Sequence, residues 1–297
     1  MVESHILAGI HARLAAALAH PAGRHTLLRI DGRSLGRVNA ARAARLLAFT
    51  DVFRRDDDAI VFAPGIATPD DRTRALAQVT LALAAESLLT AWRNERYAVA
   101  VQFGASPLFL VERAAARFFG IRTYAAHVNG LVRRDRDTAM WIARRSPGKA
   151  IDPGLLDNLV GGGIAAGAGV RQTVIKEAWE EAGLPAALAL HARATGAVHL
   201  CREQPDGLQH ETIFVHDLLL PPDFIPTGQD GEVVDHRLIP LVEAARLIAN
   251  ADGDDVVTAD ASLVILDCLI RRGMIAPDAP EFLALEALRH PSIAGIA

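Results

Sequence analysis

Hydrophobic and polar positions along the chain predict two successive α/β units. Ile6, Ile10, Leu14 and Leu18 recur every fourth residue, the single apolar stripe of an amphipathic first helix. Pro21-Ala22-Gly23 breaks it, and Thr26–Ile30 reads as a short strand closed by the turn residues Asp31-Gly32. Residues 38–49 predict a helix with Leu46, Leu47 and Phe49 inward, and the charged run 54–58 a solvated loop before a strand at 59–63. A long helix over 70–92 would place Leu76, Val79, Leu83 and Leu88 on one side, followed by a strand at 98–103 and a helix at 110–119.

The pattern changes after Gly120. Residues 123–133 and 139–144 alternate as two strands turned by the mixed charges of 133–137, and the Gly- and Pro-rich stretch 146–163 leads into a helix at about Val170–Ala182. Strands at 194–202 and 212–219 flank a turn at Pro205-Asp206-Gly207. Pro221-Pro222 and Pro226 mark a loop, and helices follow at 241–250 and 258–272, the latter capped by Gly273. The expected architecture is α/β: a mixed sheet with helices on both sides over 121–297, preceded by a smaller mixed α/β unit over 1–120.

With 297 residues, 51% hydrophobic and 22% charged, the chain can bury a sizeable core, which excludes disorder as its dominant state. A net charge of −4 argues against general electrostatic binding of nucleic acid. Cys201 and Cys268 form neither a disulfide framework nor a zinc-ligand spacing, a usage that suits a reducing cytoplasm. Gln78 and Glu86 interrupt the most apolar stretch, so no membrane span is expected. Glu3 and the shortness of the apolar run 14–19 favour a first helix over a signal peptide.

The chemistry concentrates in residues 156–184. Glu177, Glu180 and Glu181 crowd one sector of the predicted helix, where like charges repel by a few tenths of a kcal/mol per pair. A hard divalent cation would reverse that sign. Just upstream, Gly161-Gly162-Gly163, Gly167 and Gly169 allow close backbone approach, and the helix N-terminus suits an anion. Three glutamates alone are more simply a solvated face; the ordered glycines shift the reading to a metal–diphosphate site. Arg144, Arg145 and Lys149 lie on the strand end and loop before the glycines, placed equally for a distal phosphate or as ordinary surface charge. Glu211 and Glu232 read more simply as surface residues than as an extra ligand or base. Asp157-Asn158 reads as a turn cap as readily as a site element.

Competing motifs are weaker. Gly32-Arg33-Ser34-Leu35-Gly36 satisfies the nucleophile-elbow pattern but follows too little chain to end a sheet strand at its centre. Ala166 takes the last glycine's place in a dinucleotide-binding pattern, and no Lys-Ser/Thr pair completes a P-loop. His210 and His216 have no third ligand near in sequence. His127 reads as structural, and Trp92, Trp141 and Trp179 as packing residues.

The segment resembles the Nudix box, Gly-x5-Glu-x7-Arg-Glu-U-x-Glu-Glu-x-Gly-U with U apolar. Its positions fall on Gly162, Ala168, Lys176, Glu177, Ala178, Glu180, Glu181, Gly183 and Leu184. Ala168 replaces the first glutamate and Lys176 the arginine, losing the bidentate fork. Stretches 92–99, 111–132, 140–164 and 261–273 are similar to a Nudix branch related to the Nudix part of thiamine pyrophosphokinase fusions, with its own N-terminal extension. The resemblance implies an α/β/α sandwich and pyrophosphohydrolase chemistry with Mg²⁺ or Mn²⁺. Glu177, Glu180 and Glu181 would be catalytic metal ligands, joined by Gly162, with Lys176 in support. Arg144, Arg145, Lys149 and Gly163 would bind substrate. It also implies a small-molecule diphosphate substrate, with thiamine diphosphate or its oxidised analogues foremost. Hydrolysis of a nucleoside diphosphate derivative, or diphosphate binding without turnover, are the alternatives, and the N-terminal unit is expected to close the pocket.

Overall fold

The structure, a computed structural model, describes residues 1–19, 25–134 and 137–291. The break at Pro21-Ala22-Gly23 and the middle of the 133–137 turn lie outside them. Helix α1 (Ser4–Ala17) forms as the apolar stripe predicts, with Ile10 and Leu14 fully buried. Strands β1 (Thr26–Ile30) and β2 (Arg33–Val38) make a hairpin, followed by α2 (Ala40–Leu47), β3 (Phe53–Asp56), β4 (Ala59–Phe62) and α3 (Pro69–Ala85). The four strands form one sheet in the order β2-β1-β4-β3, with β1 and β4 parallel. Leu28, Leu46, Ile60, Leu76 and Leu83 share its core.

Several elements differ from those the sequence predicts. Val38 ends β2, so the helix expected from that residue starts at Ala40, where the Asn39 side chain caps it. The charged run 54–58 is not a loop throughout: its first half is β3, an edge strand whose exposed Arg54, Arg55 and Asp56 discourage further pairing. Helix α3 opens on a Thr68–Asp71 capping box with Pro69 at its start and stops at Ala85, leaving Leu88 exposed. The helix expected at 110–119 is instead strand β6 (Phe109–Glu112) followed by a single turn α4 (Ala116–Phe119). The pairing of β6 with β5 (Arg96–Val99) wins over local helix propensity.

The second sheet carries β7 (Arg122–Arg134), β8 (Asp137–Arg145), β9 (Leu156–Asn158) and β10 (Val160–Gly163). After α5 (Val170–Ala182) and the short α6 (Ala186–Ala189) come β11 (Arg193–Gln204), β12 (Gly207–Leu219) and β13 (Val233–Pro240). Its order is β11-β12-β7-β8-β13, with β10 on β7 and β9 on β8; β7 and β12 run parallel, their neighbours antiparallel. This is the mixed sheet expected. Strands β9 and β10, within a stretch that reads as loop, are only three and four residues long, and three of the four residues of β10 are glycine, so they carry no alternation to detect. Strand β13 was likewise hidden behind the prolines.

Helices α7 (Leu241–Ala249), α8 (Ala259–Arg271) and α9 (Phe282–Arg289) cover one face and α5 the other. Helix α1 belongs to the α7–α8 side: Ile6, Ile10 and Leu14 share a core with Ile248 and Leu263, and Gly9 abuts Ala249. Packing thus joins the start of the chain to its last third. The two units also meet at the β11–β12 turn, where Gly207 lies so close to Arg117 that a Cβ would stand 1.9 Å from its carbonyl oxygen.

Candidate active site

A cavity of about 330 Å³ opens between the units, walled by β10, α5, the end of β8 and the β5–β6 hairpin. Helix α5 builds one wall. Thr173, Val174, Ala178, Glu181 and Ala182 are its buried positions, so Glu181 stands on the buried stripe itself, with Glu177 and Glu180 beside it. Strand β10 crosses this wall at a distance only glycine permits. A Cβ on Gly162 would lie 2.4 Å from Glu177 Cδ, and one on Gly163 2.1 Å from Tyr97 Oη.

The carboxylates have basic partners. Glu181, 5% exposed, accepts the Gly161 N–H at 2.8 Å and pairs with Lys149 Nζ at 3.4 Å. Burial pushes its carboxyl up to about 7, Lys149 opposing and Asp157 adding to the shift. Burial also raises the Glu177 carboxyl, against the pull of Lys176. Lys176 Nζ bridges Glu177 at 3.0 Å and Glu180 at 2.6 Å, the role that keeping a cation at this box position implied. Lys149 reaches a further carboxylate, Glu232, at 2.5 Å, and Arg93 Nη1 binds the same group at 2.8 Å. Although burial opposes it, these bonds hold Glu232 down at about 2.

Of the candidates, Glu177, Glu180, Glu181, Gly162, Gly163, Lys176, Lys149 and Arg145 all line the cavity. Arg145 is committed to Asp157 at 2.7 Å and to the Ile151 and Asp152 carbonyls. Arg144 is not brought there, a correction to its expected role. Neighbours on a strand point to opposite faces, and Arg144 binds the Gly154 and Asp254 carbonyls and the Asp255 carboxylate instead. Ala168 sits in the loop before α5, outside the lining.

Two groups of lining residues were read differently or missed. Glu232 and Glu211, which the sequence alone assigns to the surface, both face the cavity. Arg93, Glu95, Tyr97, Arg113 and Arg117 come from the N-terminal half, with Arg113 paired to Glu95 at 2.7 Å; the 92–95 and Arg113 segments were the signal for them. At the deep end Glu211 accepts from Thr123 Oγ1–H at 3.1 Å and Gln209 Nε2–H at 3.2 Å, and Gln209 also reaches Asp260 at 2.9 Å. Burial and then Asp260 raise the Glu211 carboxyl. Trp179 is 53% exposed and takes no part.

Among the described residues no three His, Cys, Asp or Glu side chains converge as a ligand set, and lysines stand between the carboxylates. The donors themselves are all carboxylate oxygens, the kind Mg²⁺ and Mn²⁺ take. Burial raises both Glu177 and Glu181, so the wall would gain from added positive charge. The residues present therefore fit a hard divalent cation.

A mixed sheet between helical layers, with a glycine strand laid against a glutamate-bearing helix, defines a Nudix-type sandwich. The NUDIX domain pattern matches residues 123–260, and a domain of unknown function (DUF4743) matches residues 11–123. Nudix hydrolase 24, chloroplastic, of Arabidopsis thaliana is 42% identical over 217 residues, 73% of this chain and 59% of the relative. Nudix hydrolase 20, chloroplastic, of the same plant is 37% identical over 265 residues, 86% of this chain and 70% of the relative. An uncharacterized protein of Saccharomyces cerevisiae is 34% identical over 239 residues, 74% of this chain and 68% of its own length. The chain belongs to the Nudix family, with a separate smaller α/β domain before the sandwich.

Proposed function

We propose that the protein is a metal-dependent pyrophosphohydrolase that cleaves a small-molecule diphosphate ester, with residues 1–120 and 121–297 as its two domains. The observation that carries this reading is that Glu177, Glu180 and Glu181 line one cavity together with the cations Arg93, Arg113 and Lys149. Glu177, Glu180 and Glu181 would hold Mg²⁺ or Mn²⁺, which supplies neutralisation of the diphosphate charge and acidifies water. Gly161 N–H fixes the Glu181 carboxylate, and the tight crossing of Gly162 fixes Glu177, so both are oriented before substrate arrives. Arg93 and Lys149, already paired to Glu232, are placed to exchange that carboxylate for phosphate oxygens. Arg113 shares the same lining.

Within this class we favour thiamine diphosphate or its oxidised analogues, cleaved to the monophosphate and phosphate. The branch resemblance supports this, and so does the deep end of the cavity, where Asp152, Asp206, Glu211 and Asp260 suit an organic group that is cationic or rich in N–H donors. We place the protein in the cytoplasm, with no nucleic-acid or membrane partner; among the described residues no helix is long and apolar enough to cross a membrane.

The test is phosphate release from a panel of thiamine diphosphate, its oxidised analogues, ADP-ribose and nucleoside diphosphates, with and without Mg²⁺. Magnesium-dependent release, fastest for the thiamine compounds, is expected. Preference for the nucleotides would overturn the substrate assignment, and binding without release would make the protein a diphosphate receptor.

A further inference from the structure

His127 stands on β7 at the cavity wall, 6% exposed, and the chemistry above does not use it. Its neighbours dictate how its ring carries a proton. Asp217, on the adjacent β12, is buried, which opposes its charge, but two bonds from Arg271 (2.9 and 3.0 Å) outweigh burial and keep it a carboxylate. A carboxylate only accepts, so the Asn129 amide nitrogen must face it, at 3.1 Å. The Asn129 oxygen then faces Asn158 and receives its Nδ2–H at 3.2 Å. That turns the Asn158 oxygen toward His127 Nδ1, 2.9 Å away. Asn129 and Asn158 are 0% and 1% exposed, so water does not rescue an inverted amide. The last link therefore requires the proton on Nδ1.

At the other side of the ring, Nε2 makes no hydrogen bond among the described residues and is not sealed from the cavity. The ring lies against Gly161, where a Cβ would come within 2.8 Å of Cε1, and Gly161 N–H in turn holds Glu181. His127 is thus one strand away from the carboxylate wall, within the same lining.

We propose that His127 is a substrate-binding residue, locked by Asp217, Asn129 and Asn158 as the Nδ1–H tautomer so that the Nε2 lone pair receives an N–H or O–H of the diphosphate ester. Asn158, Asn129 and Asp217 are then positioning residues acting through it. The inference rests on the cavity being the substrate site and adds that the substrate carries a hydrogen-bond donor near its diphosphate.

Two-bond ¹H–¹⁵N correlation on the full chain with ¹⁵N-labelled histidine reads the tautomer directly, the His127 signals being assigned by their loss in His127→Gln. The Nδ1–H pattern is expected, and an Nε2–H pattern would overturn the lock. In steady-state kinetics with the fastest ester of the panel, His127→Ala should raise KM about tenfold and change kcat less than about threefold. His127→Gln, whose amide oxygen can stand in for Nε2, should recover most of that loss. An unchanged KM in the alanine variant would overturn the substrate contact. Should no ester turn over, the hydrolase reading fails, and calorimetric binding of thiamine diphosphate to the same three proteins decides the contact by the same comparison.

Discussion

Carboxylates gather at two places in one cavity, and their surroundings differ in kind. On the α5 wall each has a basic partner: Lys176 for Glu177 and Glu180, Lys149 for Glu181, Lys149 and Arg93 for Glu232. At the deep end Glu211 takes its hydrogen bonds from the neutral donors Thr123 and Gln209, with Asp260 near enough to oppose its charge. Asp152 is shifted upward for the same two causes, burial and Asp260. On the wall the lysines oppose the upward shift that burial gives Glu177 and Glu181, and a further cation would oppose it too. Glu211 and Asp152 favour a proton, or a ligand that brings positive charge to them. In the proposed reaction the same residue type would serve a metal or an organic group according to what surrounds it.

The largest effect should come from removing charge at the wall. Glu181→Gln and Glu180→Gln are expected to lower kcat at least tenfold, about 1.4 kcal/mol of transition-state stabilisation, measured as phosphate release at saturating Mg²⁺. Unchanged turnover in both would erase the distinction between the wall and an ordinary acidic surface.

A second effect, measured on stability and not on turnover, is expected from Lys149→Met. Glu181 and Glu232 would lose a shared buried cation, costing about 2 kcal/mol because Glu181 can take up a proton in compensation. Thermal melts should show Tm lower by about 4–8 °C, and Mg²⁺ should restore more of it in the variant than in wild type. An equal Mg²⁺ response would separate the lysine from the cation site.

At the deep end, pH is the lever. A carboxyl raised in the folded state contributes stability that is fully present below its unfolded value, near 4.5, and lost as pH rises through the folded value. Glu211→Gln removes that loss, so its Tm should match wild type near pH 4 and exceed it by roughly 1–2 °C at pH 8. Parallel Tm curves from pH 4 to 8 would place Glu211 outside this description.

The smallest change is expected from Ala168→Glu, which restores the box glutamate in the loop before α5. A carboxylate there gains about 0.3–1 kcal/mol from the helix N-terminus, so Mg²⁺ affinity should rise modestly and kcat stay nearly constant. An inactive wild type rescued by orders of magnitude would show instead that the missing glutamate had silenced turnover.

Legibility in the sequence follows the same physical divide. Helix α5 was readable because one packed face imposes a period on it, and α8, β7, β11 and β12 because they are long, largely apolar runs bounded by turn residues. Strands β9 and β10 were not, since β9 is only three residues long and the glycines of β10, needed for the close approach of Glu177 and Tyr97, leave no side-chain pattern. The three glutamates were visible through spacing. Glu211 and Glu232 were not, because their neighbours Asp260, Lys149 and Arg93 come from other elements. Arg144 and Arg145 are adjacent in sequence, yet only the second reaches the cavity.

The central claim is that the α5 glutamates hold a divalent cation that hydrolysis requires. Calorimetric titration of Mn²⁺ into wild type and into the Glu180→Gln/Glu181→Gln double variant tests it most directly. The account predicts saturable binding by wild type, weakened by at least tenfold in the variant, about 1.4 kcal/mol. Equal binding by both proteins would contradict it.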